Sequence, residues 1–385
     1  MALAVDGKKM NGELTVPMSK SIMHRYLLCA FLNGNYEIIN VIKSQDLSDD
    51  VRATANCLTT IINGGDRLEC GESGTTLRFI LPLVAAKGYK CTVVASGSLA
   101  HRPYEELVEE LNRHDASINV VAGEKLEFRV DGRLTGGEFR LPGNVSSQYI
   151  SGIMLAGECI DDILSICIDG ELESASYVEM TQAVINAYNS GVRDDILEGD
   201  WSAGSMWVVA NDLLGGRLSI RGLSANSIQG DRKIIEILND FAIEEVLADE
   251  YGSGEIVVDV ADCPDLVPAI ALRAVTSNLT TRIVKAGRLK LKESNRLDAT
   301  KNILSSLGAN ILADEDSLTI KGSAGVKLSG STEAIDTYGD HRMVMLAALA
   351  SVVTETTVMV NDVEAVAKSY PAFFDDVRRL GGIVE

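Results

Sequence analysis

The sequence predicts an α/β protein of two similar domains, each made of three repeated units, and three observations carry that prediction. The chain has 385 residues, beyond the ~250–300 at which single hydrophobic cores stop growing and chains divide. One phrase recurs along it: an amphipathic helical end, a small or polar break, then a β-branched strand. Further short runs that read as strands lie between the recurrences, at 13–16, 92–95, 163–168, 217–220 and 281–284.

The phrase stands at Leu58-Thr-Thr-Ile-Ile-Asn-Gly, Leu111-Asn-Arg-His-Asp-Ala-Ser-Ile and Ile185-Asn-Ala-Tyr-Asn-Ser-Gly-Val. It returns at Leu238-Asn-Asp-Phe-Ala-Ile, Leu304-Ser-Ser-Leu-Gly-Ala-Asn-Ile and Val377-Arg-Arg-Leu-Gly-Gly-Ile-Val. Six units of roughly 64 residues would fill the chain. Each is too small to be stable alone, so three would share a core. Gly308 and Gly381 sit where a helix C-cap requires positive φ. The alternative is that helix–Gly–strand is simply common in α/β proteins.

Composition narrows the function. A formal net charge of −20 argues against nucleic acid, which needs a broad basic surface. It leaves room for a small anionic ligand, because exposed charges beyond about 8 Å are largely screened at physiological salt. No apolar run reaches the ~18 residues of a membrane span, and the longest, over 343–353, reads as a buried helix. Seven scattered cysteines and four histidines show neither a C-x-x-C pair nor metal-ligand spacing. P-loop, dinucleotide and nucleophile-elbow motifs are absent from the sequence.

Lys and Arg gather at a few helix starts. In Thr15-Val-Pro-Met-Ser-Lys-Ser-Ile-Met-His-Arg25 a strand ends at Pro17 and an apolar helix takes over by Tyr26. Ser19-Lys20-Ser21 then lies at a helix N-terminus, where free N–H groups attract anions, with Arg25 on the face of Ser21. Ser21 as a plain N-cap with Lys20 solvated reads equally well. Cys70-Gly-Glu-Ser-Gly-Thr-Thr-Leu-Arg78 is a second such turn, in which Gly74 admits a close ligand and Arg78 lies one turn in. Arg102-Pro103 precedes a helix over 104–111. Val145-Ser-Ser-Gln-Tyr149 offers Ser146, Ser147 and Gln148 before another, suited to a polyol or to a double N-cap. Ser174 and Tyr177 open the next.

The C-terminal half adds carboxylates. Asp265 starts an apolar helix over 266–275, where capping is its ordinary role. Lys292-Glu293-Ser-Asn-Arg296 places Lys292 and Arg296 four apart, a spacing that also suits surface ion pairing. Asp340-His341-Arg342 introduces the 343–353 helix and Lys368-Ser-Tyr-Pro the last one. Cations at helix starts oppose the dipole, which makes sense if an anion sits among them.

These motifs, in this order, resemble the 3-phosphoshikimate 1-carboxyvinyltransferase (EPSP synthase) family over residues 12–371. The resemblance implies two domains, each of three βαβαββ-like units around buried helices: an inside-out α/β barrel with the ligand cleft between the domains. It implies two crossings, so that 1–17 plus 198–385 form the C-terminal-type domain and 18–197 the N-terminal-type domain. Carried over by motif, shikimate 3-phosphate would meet Lys20, Ser21, Arg25, Ser146, Ser147, Gln148, Ser174, Tyr177, Asp265 and Lys292. Phosphoenolpyruvate would meet Lys20, Gly74, Arg102, Gln148, Arg296, Arg342 and Lys368, with Asp265, Glu293 and Lys20 as the catalytic groups. No metal or cofactor is implied. The expectation is a monomeric, cytoplasmic enzyme whose partners are these two small molecules, with neither nucleic acid nor membrane.

Met18, Glu72, Phe79 and Arg288 depart from the commonest residues of that pattern. Two other functions compete with this one. The sister enolpyruvyl transferase acting on UDP-N-acetylglucosamine would want Lys-Asn and a reactive loop Cys where this chain has Lys20-Ser21 and Arg102. A silent phosphate-ligand-binding protein would not need Asp265 and Glu293 beside the cations.

Overall fold

The computed structural model describes residues 1–45, 47–192 and 196–385. Its contacts divide into two compact units, Met1–Met18 with Glu198–Glu385, and Ser19–Leu197. Each has a hydrophobic core of its own.

In the Ser19–Leu197 unit, one four-stranded sheet runs in the order Arg67–Gly71, Cys91–Ala95, Leu126–Val130, Ile118–Ala122. The first two strands are parallel and the rest antiparallel. The helices Gly74–Ala86 and Glu105–Arg113 intervene, so the chain order is βαβαββ. A parallel pair, Gly137–Pro142 with Leu164–Asp169, is joined through the helix Ser147–Gly157 and followed by Ala175–Ser190. The unit begins with three helices, Lys20–Leu32, Tyr36–Lys43 and Asp49–Ile62.

The other unit repeats the pattern. Glu255–Asp259, Thr280–Val284, Ser317–Lys321 and Asn310–Ala313 form a sheet of the same order and sense around the helices Val267–Ala274 and Arg296–Ser306. A second sheet runs Ser331–Ile335, Val358–Val360, Leu3–Asp6, Ile383–Val384. Here the first strand of the chain occupies the third place, antiparallel to both neighbours. Gly12–Thr15 pairs in parallel with Leu218–Arg221, just after the helix Trp201–Leu213.

Burial explains the layering within each unit. Leu126, Phe128 and Val130 are buried while the alternate Arg129 is exposed, so one sheet face meets the core and the other water. All thirteen residues of Gly74–Ala86 and all ten of His341–Ala350 are buried. A helix apolar all round belongs in a core. These two helices therefore lie inside their units, while amphipathic helices such as Ile234–Tyr251 keep an exposed face. Pro82, inside Gly74–Ala86, cannot donate to the Arg78 carbonyl. A Cβ at Gly152 would stand 2.2 Å from that oxygen, so glycine lets the Ser147–Gly157 helix approach there.

The recurring phrase marks a helix end followed by a strand at Leu58, Leu111, Leu304 and Val377. Gly308 and Gly381 take the left-handed turn, at φ +98° and +89°. Two positions differ. Residues 238–243 lie inside one continuous helix, Ile234–Tyr251, because Asn239 and Asp240 fall on its exposed face and break nothing. After Ala175–Ser190 the described residues before Trp201 form no strand, only an isolated bridge from Gly199 to Met18. No helix among the described residues is long and apolar enough to cross a membrane. All seven cysteines are free.

Candidate active site

Four helices of the Ser19–Leu197 unit carry no acid in the first turn: Lys20–Leu32, Gly74–Ala86, Ser147–Gly157 and Ala175–Ser190. The other three in that unit follow the ordinary preference, with Glu37, Asp49 and Asp50, and Glu105 and Glu106. Arg25 binds three of the acid-free helices together. Its Nε donates to Thr181 Oγ1 at 2.7 Å, Nη1 to the Ser21 carbonyl at 2.8 Å, and Nη2 to Ser151 Oγ at 3.3 Å and the Tyr177 carbonyl at 3.0 Å. Burial lowers its pKa to about 10, which leaves it charged at neutral pH. Arg25 is thus a bracket at 2% exposure. It sets the starts of these helices, with Ser21, Ser147 and Ser174, side by side.

Ser19, not Ser21, is the N-cap, its hydroxyl accepting from Ile22 N at 3.5 Å. Ser21 is left within the first turn. Lys20 is not a solvated lysine: its Nζ meets Asp50 Oδ2 at 2.9 Å, with the two side chains 15% and 11% exposed. Ser146 caps the Ser147–Gly157 helix by accepting from Gln148 N at 3.3 Å. Ser174 occupies a left-handed conformation, φ +56°, rare for a residue with a Cβ and frequent at ligand sites.

The fourth acid-free helix brings Gly74, Arg102 and Gln148 together. Gln148 accepts from Arg78 Nη1 at 2.8 Å and donates to Thr75 Oγ1 at 2.9 Å. A Cβ on Gly74 would stand 2.8 Å from Arg78 Nη1 and 2.9 Å from Arg102 Nη1, so two guanidinium groups flank a glycine backbone. Arg102 precedes its helix by three residues, and Glu105 and Glu106 fill that first turn. It therefore serves the Gly74 turn and not its own helix.

A second cluster lies in the other unit. Asp265 does not cap a helix; the Val267–Ala274 helix has Leu266 at its N-cap. Its carboxylate meets Arg296 Nη1 at 2.8 Å, Lys292 Nζ at 3.3 Å and Arg342 Nη2 at 3.6 Å. Lys292 and Glu293 precede the Arg296–Ser306 helix, whose N-cap is Asn295, so the four-residue spacing is not helical. Nor is Arg296 on the surface. At 2% exposure it also binds Glu293 Oε2 at 2.7 Å and, through Nε, Asp340 Oδ2 at 2.7 Å. Asp340 caps His341–Ala350 by accepting from Arg342 N at 3.0 Å. Lys368 ends the 3-10 turn Val363–Lys368, well before the last helix, and donates to the Gly339 carbonyl at 3.2 Å.

Burial alone would raise Asp265, but Arg342, Lys292 and Arg296 hold it well below the usual carboxylate range. Asp340 is likewise lowered, burial being overcome by Arg296. Lys292 is pushed down to about 8 by burial, with Asp265 opposing and Arg296 and Arg288 reinforcing. The cluster thus combines an ionised carboxylate, a second carboxyl group in Glu293, and cations that can receive an anion.

The sequence model of EPSP synthase (3-phosphoshikimate 1-carboxyvinyltransferase) matches residues 5–377. The chain belongs to the EPSP synthase family. A 3-phosphoshikimate 1-carboxyvinyltransferase of Clostridium kluyveri is 34% identical, covering 100% of this chain and 98% of that protein. One from Clostridioides difficile is 32% identical at the same coverage. Among solved structures, an EPSP synthase from Acinetobacter baumannii superposes with a TM-score of 0.71 at 18% identity, covering 100% and 99% of the two chains. The enolpyruvyl transferase NikO from Streptomyces tendae gives 0.65 at 14%, covering 100% and 98%. These two likenesses speak for the fold.

Within this EPSP synthase family member, sequence reasoning missed Asp50 and Thr181 as partners of the site, and it named Arg78 and Asp340 in their motifs without giving them a role. Arg78 stands one helical turn beyond Gly74 and Asp340 two residues before Arg342, while Asp50 and Thr181 carry no such local signal. Of the departures, Arg288 bears on Lys292 electrostatically, Glu72 accepts from Ser98 Oγ at 3.1 Å, and Met18 is the 44%-exposed partner of the Gly199 bridge.

Proposed function

We propose that the chain, as a cytoplasmic monomer, transfers the enolpyruvyl group of phosphoenolpyruvate to the 5-hydroxyl of shikimate 3-phosphate. The products are 5-enolpyruvylshikimate 3-phosphate and phosphate, a step of aromatic amino-acid biosynthesis. The observation that carries this reading is the Asp265–Lys292–Glu293–Arg296–Arg342 cluster, two carboxylates kept beside three cations. An anionic substrate alone would need only the cations.

Ser21, Ser146, Ser147, Gln148, Ser174 and Tyr177 hold the shikimate phosphate and ring, with Arg25 fixing the helix starts that present them. Asp265 and Lys292 meet the ring hydroxyls. Lys20, Gly74, Arg102, Gln148, Arg296, Arg342 and Lys368 surround phosphoenolpyruvate. Glu293 protonates C3 while the 5-hydroxyl attacks C2 and gives its proton to Asp265, assisted by Lys20. The resulting tetrahedral adduct then loses phosphate from C2, which leaves with the proton held by Asp265, while Glu293 takes back a proton from C3, so both carboxyl groups return to their starting states. Cations placed where charge develops lower the barrier in both halves.

Phosphate release tests the assignment. Both substrates together release phosphate in step with product, and omitting either abolishes it. Release with UDP-N-acetylglucosamine in place of shikimate 3-phosphate, or none with both substrates, overturns it.

Gly74→Ala gives a local check. The added methyl meets only the ends of two long side chains, so the fold persists while Arg78 and Arg102 move. KM for phosphoenolpyruvate rises, by up to about 10²-fold for a displacement near 1 Å. KM for shikimate 3-phosphate stays nearly constant. Equal change in both constants contradicts the placement of Gly74.

A further inference from the structure

Beside this cluster lies a buried acid that the reaction as described does not use. Asp231, in the 3-10 turn Gly230–Lys233, is 3% exposed. Its Oδ2 accepts a hydrogen bond from Ser202 Oγ, while its buried Oδ1 finds no partner among the described residues. Ser202 belongs to the first turn of the Trp201–Leu213 helix. Its carbonyl accepts from Arg342 Nη1 at 3.2 Å, and the other end of the same guanidinium, Nη2, lies 3.6 Å from Asp265. A continuous chain of contacts therefore runs from Asp231 through Ser202 and Arg342 to Asp265.

The turn carrying Asp231 grips the same helix start a second time. Gln229 accepts from Trp201 N at 3.0 Å and donates to the Gly199 carbonyl at 2.8 Å. Asp200 caps the helix by accepting from Ala203 N at 2.8 Å. With Gln229 and Asp200 already securing the backbone, Asp231 is not needed to hold the helix. Its distinct contact is with Ser202, whose carbonyl accepts from Arg342.

We propose that Asp231 is a positioning residue for the phosphoenolpyruvate end of the site: through Ser202 it fixes the Arg342 guanidinium where Asp265 and a substrate anion meet it. This rests on the functional reading above, in which Arg342 binds phosphoenolpyruvate.

The protonation state follows from the surroundings. Burial and the negative charge of Asp265 push the Asp231 carboxyl up to about 7, against the pull of Arg342 and the Ser202 hydrogen bond, with Asp200 adding to the rise. Cys263 also senses Asp231, and Lys233 follows it on its own turn. As a neutral acid Asp231 leaves the charge of Arg342 to Asp265 and the substrate. Once ionised, above about pH 7, it competes for that charge. The proton is lost to solvent and the carboxylate gains a claim on Arg342, so phosphoenolpyruvate binding weakens as pH rises. The Lys292 ammonium, near 8, titrates separately.

The test compares Asp231→Ala, Asp231→Asn, Ser202→Ala and Arg342→Lys in the full chain, measuring KM for each substrate between about pH 6 and 8, on either side of the Asp231 titration. Asp231→Ala and Ser202→Ala raise KM for phosphoenolpyruvate about 10–100-fold, the scale of a hydrogen bond to a charged group. KM for shikimate 3-phosphate moves little. Asp231→Asn, a permanently neutral isostere, restores the low-pH constant and removes the rise near pH 7, leaving the Lys292 limb. Thermal unfolding of each variant shows whether the fold is intact. If Asp231→Ala fails to fold, Asp231→Asn and Ser202→Ala decide. Unchanged KM for phosphoenolpyruvate in Asp231→Ala and Ser202→Ala, with Arg342→Lys impaired, overturns this inference alone. So does an Asp231→Asn profile identical to wild type. An unimpaired Arg342→Lys overturns the site reading and this inference with it.

Discussion

Glu293→Gln lowers kcat by about 10²–10⁴, the range of general acid–base assistance, with little change in either KM. Glutamine keeps the size and one hydrogen-bond acceptor, so Arg296 Nη2, now 2.7 Å from Glu293 Oε2, retains a partner. What is lost is a proton that can be delivered to C3 of phosphoenolpyruvate and later taken back. Loss of a group acting only in the transition state lowers kcat and kcat/KM together. Single-turnover measurement of phosphate release separates this from slow product release. Full turnover by Glu293→Gln removes the assignment and shifts attention to Lys20, which holds Asp50 at 2.9 Å.

Arg296→Leu produces the largest loss of stability, about 3–5 kcal/mol on the scale of breaking a buried ion pair by removing one partner. Its guanidinium answers Asp265, Glu293 and Asp340 at once, each at 2.7–2.8 Å. Leucine leaves these carboxylates without that shared cation in a buried place. Asp265 and Asp340 have folded pKa values below their unfolded ones. Their contribution to stability is therefore full above the unfolded value near 4 and is lost as pH falls through the folded one. In Arg296→Leu these pKa values rise and that contribution shrinks or changes sign. The deficit against wild type is greatest at neutral pH and narrows as the medium is acidified. Urea unfolding at two pH values reads this directly; a deficit independent of pH would assign the loss to packing instead.

Much of the fold is legible in the amino-acid sequence. The five strands read from β-branched runs, at 13–16, 92–95, 163–168, 217–220 and 281–284, lie within about a residue of their bounds in the structure. The inner helices were harder. Gly74–Ala86 and His341–Ala350 are buried all round and lack the polar face that marks a boundary, so only the flanking turns mark their ends. The 238–243 break failed for the opposite reason: Asn239 and Asp240 are polar and short, yet on an exposed helix face they cost little.

At the site, the residue types at helix starts were visible, but what they touch was not. Lys20 meets Asp50 across 30 positions and Arg25 meets Thr181 across 156, distances over which a single sequence carries no spacing signal. The ordinary readings of Lys20 as solvated, Asp265 as a cap and Arg296 as a surface ion pair all assumed local partners. In each case a distant partner replaced the local one. Asp340 shows the same effect, a helix cap whose second task, holding Arg296, lies 44 residues away.

Enolpyruvyl transfer proceeds in this reading through protonation and then deprotonation at C3, and turnover of both substrates by the wild-type chain in D₂O is the decisive experiment. Addition converts the methylene of phosphoenolpyruvate to a methyl group carrying one solvent deuteron, and elimination removes one of its three hydrogens. Deuterium is expected in the enolpyruvyl methylene of the product, formed in step with phosphate. Product formed with phosphate but with a fully protiated methylene would contradict it.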